Sequence, residues 1–160
     1  MTATSNTILD TGKFTKFPEG YKASGEYVPK RVAVPIEVQT FVTTSLLSDR
    51  RKQGDRYKKG DKPTKLEIFS QLIELGYQVT QSKARNEGGY DFSDDELQVP
   101  DITEDVIWLD KVVNEQVANI LEAYNIIRDT AGQKRLRGTV PVVCALLRRG
   151  VSIAPKKDLT

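Results

Sequence analysis

The sequence contains no histidine and only one cysteine, Cys144. A single cysteine cannot form a disulfide within the chain, and the common zinc sites need His or several Cys ligands. The absence of histidine also removes the usual general base and the usual activator of a Ser or Cys nucleophile. The phosphate-binding spacings G-x-x-x-x-G-K-[ST] and G-x-G-x-x-G are missing as well. We therefore predict a protein that is not an enzyme and that has no metal site and no cofactor.

Long apolar runs are also missing. No run reaches the ~18 residues that a membrane-spanning helix needs, and the N-terminal stretch MTATSNTILDTGKF lacks the basic and apolar regions of a secretion signal. We expect no membrane association and a cytoplasmic location. A chain of 160 residues can form one core of ordinary size or two small units joined by a linker.

Charge is strongly segregated along the chain, although the net charge is only +2. Residues 49–65 contain eight basic and three acidic side chains, residues 87–115 contain ten acidic and one basic, and residues 128–157 contain eight basic and one acidic. The chain is therefore basic, then acidic, then basic. The first basic segment is either a nucleic-acid contact or a solvated loop.

Residues 1–28 contain scattered aromatic side chains without a helix or strand period, which predicts an irregular arm. It is either a mobile tail or an arm that docks its aromatic side chains on a partner subunit or lies along DNA. From Pro29 to Val38 the apolar residues alternate, so that Arg31, Ala33 and Pro35 face away from the valines. This predicts one short strand, which should be an edge strand or end near Pro35, because proline has no N–H for a sheet.

Two helices are predicted after the strand. The first runs from Glu37 to about Lys52. The second begins after Thr64, because Thr64 and Glu67 have the spacing of a capping box, and it should end at Gly76. A unit of this size buries little surface, so we expect it to form a homodimer or a higher homo-oligomer.

The stretches RVAVPIEV, VQTFVTTSLL and PTKLEIFSQLIEL, within residues 29–77, resemble the ribbon-helix-helix DNA-binding family. In that family two chains pair their strands into an antiparallel ribbon that enters the major groove, and the N-terminus of the second helix holds a backbone phosphate. The resemblance implies that the outward strand residues face the bases and that Thr64 and Lys65 lie at a phosphate of double-stranded DNA. The predicted nucleic-acid-binding residues are Lys30, Arg31, Ala33, Arg50, Arg51, Lys52, Arg56, Lys58, Lys59, Lys62, Thr64 and Lys65.

Residues 80–100 are polar and acidic, which predicts a linker between this module, residues 29–79, and the rest of the chain. The linker is either a solvated connector or a competitor of DNA for the basic segment.

Residues 101–152 are predicted to form a helical hairpin, followed by a tail at residues 153–160. Its long helix should begin at Asp101 or Thr103 and end at Gly132, with apolar residues about 3.5 positions apart. A short second helix is predicted between Thr139 and Gly150. The apolar seam predicts homo-oligomerisation or a protein partner. The predicted oligomerisation residues are Val106, Leu109, Val113, Val117, Ile120 and Tyr124.

Three further side chains or groups have two interpretations each. Cys144 is a core residue rather than a nucleophile, since no histidine can activate it. Trp108 is a packing or interface anchor rather than a ligand platform. The arginines that flank the short helix form either a second phosphate-binding patch or solvated charge. They are Arg135, Arg137, Arg148 and Arg149.

The fold class predicted from the sequence is mainly α with one short β-strand: a ribbon-helix-helix-like module whose strands pair between two chains, plus a C-terminal helical hairpin. The leading functional hypothesis is a non-enzymatic DNA-binding protein of the repressor, partition or DNA-processing accessory type. The alternative is a structural or assembly protein, for example a phage or scaffold component. In that case the hairpin drives oligomerisation and the basic segment makes protein contacts.

Overall fold

The structure, a computed structural model, describes residues 14–56 and 62–154. The described part of the chain is mainly helical, as the sequence predicted, and contains a two-stranded antiparallel sheet. In chain order the elements are a 3-10 turn at Tyr21–Ala23, β1 at Tyr27–Val32, α1 at Ile36–Gln53, a 3-10 turn at Gly54–Arg56, α2 at Lys65–Glu87, α3 at Asp94–Leu97, β2 at Asp105–Asp110, α4 at Lys111–Thr130 and α5 at Val140–Ile153.

The strand β1 pairs with β2 of the same chain, from Tyr27 opposite Asp110 to Val32 opposite Asp105. Pairing with a second chain was predicted, so that prediction is wrong for this structure. The prediction that a long helix begins at Asp101 or Thr103 is also wrong, because β2 occupies Asp105–Asp110. Asp110 explains where the helix begins, because its carboxylate accepts hydrogen bonds from the amides of Val112, at 2.9 Å, and Val113, at 3.2 Å. The helix α4 therefore begins at Lys111.

The helix α2 begins as predicted but does not end at Gly76. Thr64 and Glu67 form both hydrogen bonds of the capping box. The helix continues to Glu87 and ends at Gly88, whose φ of 79° is the left-handed conformation that glycine adopts without strain. The first eight residues of the predicted linker, 80–87, are therefore helical, and α3 adds a short helix inside it.

Two glycines allow α2 and α5 to cross closely. A Cβ atom on Gly76 would collide with the backbone carbonyl of Leu146, and a Cβ atom on Gly150 would collide with that of Leu72. Gly150 was predicted to lie just past the end of the short helix, but α5 continues to Ile153. Neither glycine ends a helix. Their lack of a side chain lets the two helix backbones approach each other closely.

One core joins the two regions that the sequence analysis separated. The helices α2 and α5 lie at its centre, with β2 and α1 packed around them. Of the predicted oligomerisation residues, only Val106 is exposed, at 41%. The other five are buried in this core, which accounts for the apolar stripe without a second chain. They are Leu109, Val113, Val117, Ile120 and Tyr124.

The chain consists of two halves with the same order of elements: β1, α1 and α2, then β2, α4 and α5. The first elements of the halves pair as antiparallel strands, and the last elements cross. At the crossing Leu72 and Gly76 of α2 meet Leu146 and Gly150 of α5 reciprocally. The two halves therefore meet reciprocally both at the ribbon and at the crossing of their last helices.

Candidate nucleic-acid interface

The two-stranded ribbon has one inner and one outer face, because side chains alternate along each strand. Ile107 and Leu109 are fully buried on the inner face, against the core. The opposite face carries the side chains at the alternate positions of both strands. In the middle of that outer face lie Pro29 beside Trp108 and Arg31 beside Val106.

Of the three residues predicted to face the bases, only one lies on the outer face of the ribbon. Arg31 is exposed on the outer face, where the sequence analysis placed it. Ala33 lies beyond the end of β1 and is buried, and its carbonyl accepts a hydrogen bond from the Cys144 thiol. Pro35 is buried as well. Ala33 and Pro35 therefore cannot face the bases, because the strand ends before them.

Lys30 lies on the inner face and is half-buried. Its ammonium donates to the hydroxyl of Thr139, at 2.6 Å, and burial lowers the pKa of Lys30. Thr139 is the N-cap of α5, so this bond fixes the ribbon against the beginning of that helix. Lys30 is an internal tether and not a base contact.

The N-terminal arm covers one end of the outer face. Phe17 packs on Tyr27, with ring centroids 4.7 Å apart, and Tyr21 packs edge-on against Trp108, at 6.0 Å. Lys22 is exposed and its ammonium lies 5.7 Å from the Trp108 ring centroid, close enough for a cation–π interaction. The described part of the predicted irregular arm, residues 14–26, contains one 3-10 turn, and its aromatic side chains dock on the chain's own ribbon; residues 1–13 of the arm lie outside the described residues.

Trp108 and Lys22 belong to this surface, although the sequence patterns did not predict it. The strand DVIWLD is a run of four apolar residues between two aspartates, a pattern that fits a short buried strand. The same residues also fit one stripe of a helix, because Val106, Leu109 and Val113 are spaced by three and four. The helical interpretation concealed the outer face of β2.

The first basic segment borders the end of α1 and the beginning of α2. Arg50, Arg51 and Lys52 occupy the last turn of α1, where cations are favourable. Lys62 forms an ion pair with Asp49, at 3.7 Å. Thr64 uses its hydroxyl to cap the amide of Glu67, and Lys65 is exposed beside it. Arg56 is exposed in a 3-10 turn, whereas Lys58 and Lys59 lie outside the described residues.

A second basic segment occupies the equivalent place in the other half, between α4 and α5. The side chain of Asn125 pairs with the backbone of Leu136 through two hydrogen bonds, of 2.7 and 3.0 Å, which fix this connection on α4. Lys134 and Arg137 are exposed from it, and Arg135 forms an exposed ion pair with Asp129, at 3.3 Å. Both helix-to-helix connections therefore present positive charge.

Arg148 and Arg149 do not belong to this basic surface. Arg149 is 6% exposed and binds both carboxylate oxygens of Glu96, at 2.7 and 3.1 Å. Arg148 donates to the backbone carbonyls of Glu96 and Gln98 and pairs with Glu37. Both predicted interpretations, a phosphate patch and solvated charge, are wrong for these two arginines, because they hold the acidic segment around α3 against α5.

Burial would raise the pKa of the Glu96 carboxyl. The hydrogen bonds from Arg149 and from the Ser93 amide, together with the Arg149 charge, outweigh burial and lower the pKa. The segment that was predicted to be a solvated connector or a competitor for the basic segment is thus bound, in part, to arginines of α5.

In residues 14–56 and 62–154, no group of three or more Cys, Asp or Glu side chains is arranged to hold a metal ion. No helix in that part of the chain has the length and apolar character needed to cross a membrane. Comparison with protein-family models, with curated proteins and with solved structures finds no match to this chain.

Proposed function

We propose that this chain is a non-enzymatic DNA-binding protein in which the two halves take the roles that two subunits take in the ribbon-helix-helix family. The ribbon of β1 and β2 would enter the major groove with its outer face. The observation that carries this proposal is the ribbon itself, which lies between two helix pairs whose second helices cross reciprocally. A two-stranded ribbon has the width that the major groove of B-DNA accommodates.

The charge distribution supports the same proposal. In the ribbon-helix-helix family the N-terminus of the second helix holds a backbone phosphate. Here both connections are basic, with Lys62 and Lys65 in one half and Lys134 and Arg137 in the other. The bond between Lys30 and Thr139 ties the ribbon to the beginning of α5. The second connection therefore lies beside the ribbon, where a phosphate backbone would pass.

A second candidate function is assembly with a protein partner. The helix α4 has exposed apolar side chains, Val112 at 43% and Ile126 at 59%, which lie fourteen positions apart and so on the same side of the helix. Such side chains favour protein contacts more than contacts with DNA. In this alternative the basic connections would bind protein.

A salt titration on duplex DNA tests the proposal. We expect a labelled duplex of random sequence to bind at low salt, with affinity that falls as salt rises, by roughly 0.9 log units per log unit of salt for each phosphate neutralised. The double variant Lys134→Ala, Arg137→Ala should lower this slope by about 2. Absence of binding by the unaltered protein at low salt would refute the proposal and favour assembly.

The matched control is the double variant Lys83→Ala, Arg85→Ala. It removes the same charge from the other end of α2, roughly 30 Å along the helix from Thr64. The salt slope of this control should stay that of the unaltered protein. An equal loss of slope in both double variants would indicate attraction by net charge and not by the proposed interface.

A further inference from the structure

We infer that the ribbon recognises a non-palindromic DNA site in one fixed orientation, with one chain per site. This inference rests on the proposed DNA-binding function and names its substrate class. Two identical strands, as in a homodimer, present the same side chains to both halves of a site, which then repeats as a palindrome. This chain forms its ribbon from two different strands, so the halves of its site cannot be equivalent.

The two ends of the outer face differ in chemistry. At one end Arg31 lies directly opposite Val106, and both are exposed. At the other end Pro29 lies opposite Trp108, and the arm packs Tyr21 against the Trp108 ring. Base-reading side chains are therefore concentrated at the first end, and the second end is partly covered.

Arg31 and Val106 would read different features of the major groove. A guanidinium can donate two hydrogen bonds to O6 and N7 of guanine, whereas an apolar side chain contacts the thymine methyl group. Side chains directly opposite in an antiparallel pair have Cβ atoms about 5 Å apart. That distance spans neighbouring base pairs. The expected site is a G·C pair next to an A·T pair.

The charged residues at the two ends of the ribbon also help to distinguish the two orientations of the DNA. Glu104 is exposed and Asp105 is half-buried next to the end that carries Arg31 and Val106. Lys22 is exposed at the end that carries Trp108. The two ends therefore present different arrangements of charge to the phosphates, although Arg31 at the first end and the exposed Glu26 at the second carry the opposite sign. Reversing the DNA would exchange these environments, so the two orientations differ in free energy.

The test is selection of binding sites from a random duplex library by the full chain, followed by measurement of the number of chains per site. We expect a non-palindromic motif bound by one chain. Arg31→Ala should reduce the preference for the guanine by about tenfold. Replacing the neighbouring thymine by deoxyuridine, which lacks only the methyl group, should weaken binding of the unaltered protein a few-fold and should weaken binding of Val106→Ala less, because the shorter side chain loses most of the methyl contact. Arg85→Ala should retain both preferences.

A palindromic motif bound by two chains would overturn the inference. Salt-dependent binding without sequence preference would overturn it as well, while leaving the proposed DNA-binding function in place. No binding at low salt would overturn both.

Discussion

Gly76 and Gly150 occupy reciprocal positions at the crossing of α2 and α5. Each glycine lies against the backbone of a leucine four residues before the other glycine: Gly76 against Leu146, and Gly150 against Leu72. The main chains can touch because neither glycine carries a side chain. The two halves of the chain are therefore held together at a contact that any larger residue would separate.

Replacing either glycine by alanine should strongly destabilise the fold. A Cβ on Gly76 would lie only 2.8 Å from the Leu146 Cα, and a Cβ on Gly150 3.2 Å from the Leu72 Cα, in addition to the carbonyl collisions. Because backbone atoms cannot rotate away, we expect Gly76→Ala and Gly150→Ala each to lower the free energy of unfolding by about 3 kcal/mol. Urea denaturation followed by circular dichroism measures this loss.

Gly138→Ala is the matched control for the two glycine variants. A Cβ there would meet no atom within 4 Å, so the free energy of unfolding should change by less than about 1 kcal/mol. Equal stability of all three variants would show that α2 and α5 do not cross in the described way.

Ser70→Ala should raise stability. The Ser70 hydroxyl is fully buried, and its oxygen has no hydrogen-bond partner among the described residues. Removing an unsatisfied buried hydroxyl abolishes a desolvation cost, so we expect a gain of about 1 kcal/mol in the free energy of unfolding. Ser45→Ala is the control, because the half-buried Ser45 hydroxyl donates to the Phe41 carbonyl at 2.9 Å. A loss of stability in Ser70→Ala would contradict the described environment.

Arg149→Ala should cost about 3 kcal/mol in the free energy of unfolding, because it removes the buried partner of Glu96. The variant also loses the bonds from Arg149 to the Thr80 hydroxyl and the Asp91 carbonyl. Arg149→Lys keeps the charge but cannot bind both carboxylate oxygens in parallel, so its loss should be intermediate. Chemical denaturation of both variants distinguishes charge from geometry. Equal losses would mean that the charge alone contributes nothing, whereas unchanged stability of Arg149→Lys would mean that the bidentate geometry contributes nothing.

The stability that Glu96 contributes should depend on pH. Its pKa is lowered in the folded state, so the folded protein holds the ionised form more strongly than the unfolded chain does. The contribution is complete above the pKa of an unfolded glutamate, about 4.3, and is lost as the pH falls through the lower folded value. Glu96→Gln should flatten the stability profile in this acidic window and not near neutrality. An unchanged profile would refute the coupling.

The Cys144 thiol should be unreactive in the folded protein. Burial raises its pKa to about 11, and the side chain, which lies on α5, is fully buried in the core. A thiol reagent at pH near 8 should therefore modify the native protein much more slowly than the urea-unfolded chain. Comparable rates in the two states would show that the thiol is accessible.

Local patterns in the sequence predicted several elements correctly. The capping box of Thr64 and Glu67 fixed where α2 begins, because both hydrogen bonds form between residues close in the chain. The apolar run around Cys144 predicted a buried helix, since no side chain in VPVVCALL needs solvent. Arg31 was placed on the exposed face of β1 by alternation alone.

Other features depended on partners far away in the chain. Gly76 and Gly150 are glycines that could end a helix, and only the neighbouring helix shows that they serve close packing. Arg149 gave no local sign of its buried bond with Glu96, 53 residues away. The strand β2 resembled the first turns of a helix until its pairing with β1 and the Asp110 cap defined it.

The sequence by itself determined the mainly helical class, the succession of one strand and two helices in the first half, the beginning of α2, and the two basic connections, because each depends on side-chain pattern within a few residues. It did not determine the bounds of β1, which runs from Tyr27 to Val32 and not from Pro29 towards Val38. Only the tertiary structure decided that the partner of this unit is the second half of the same chain. The pairing of β1 with β2 and the crossing of α2 with α5 are contacts between distant residues, and their free energy comes from surfaces that meet only in the folded state.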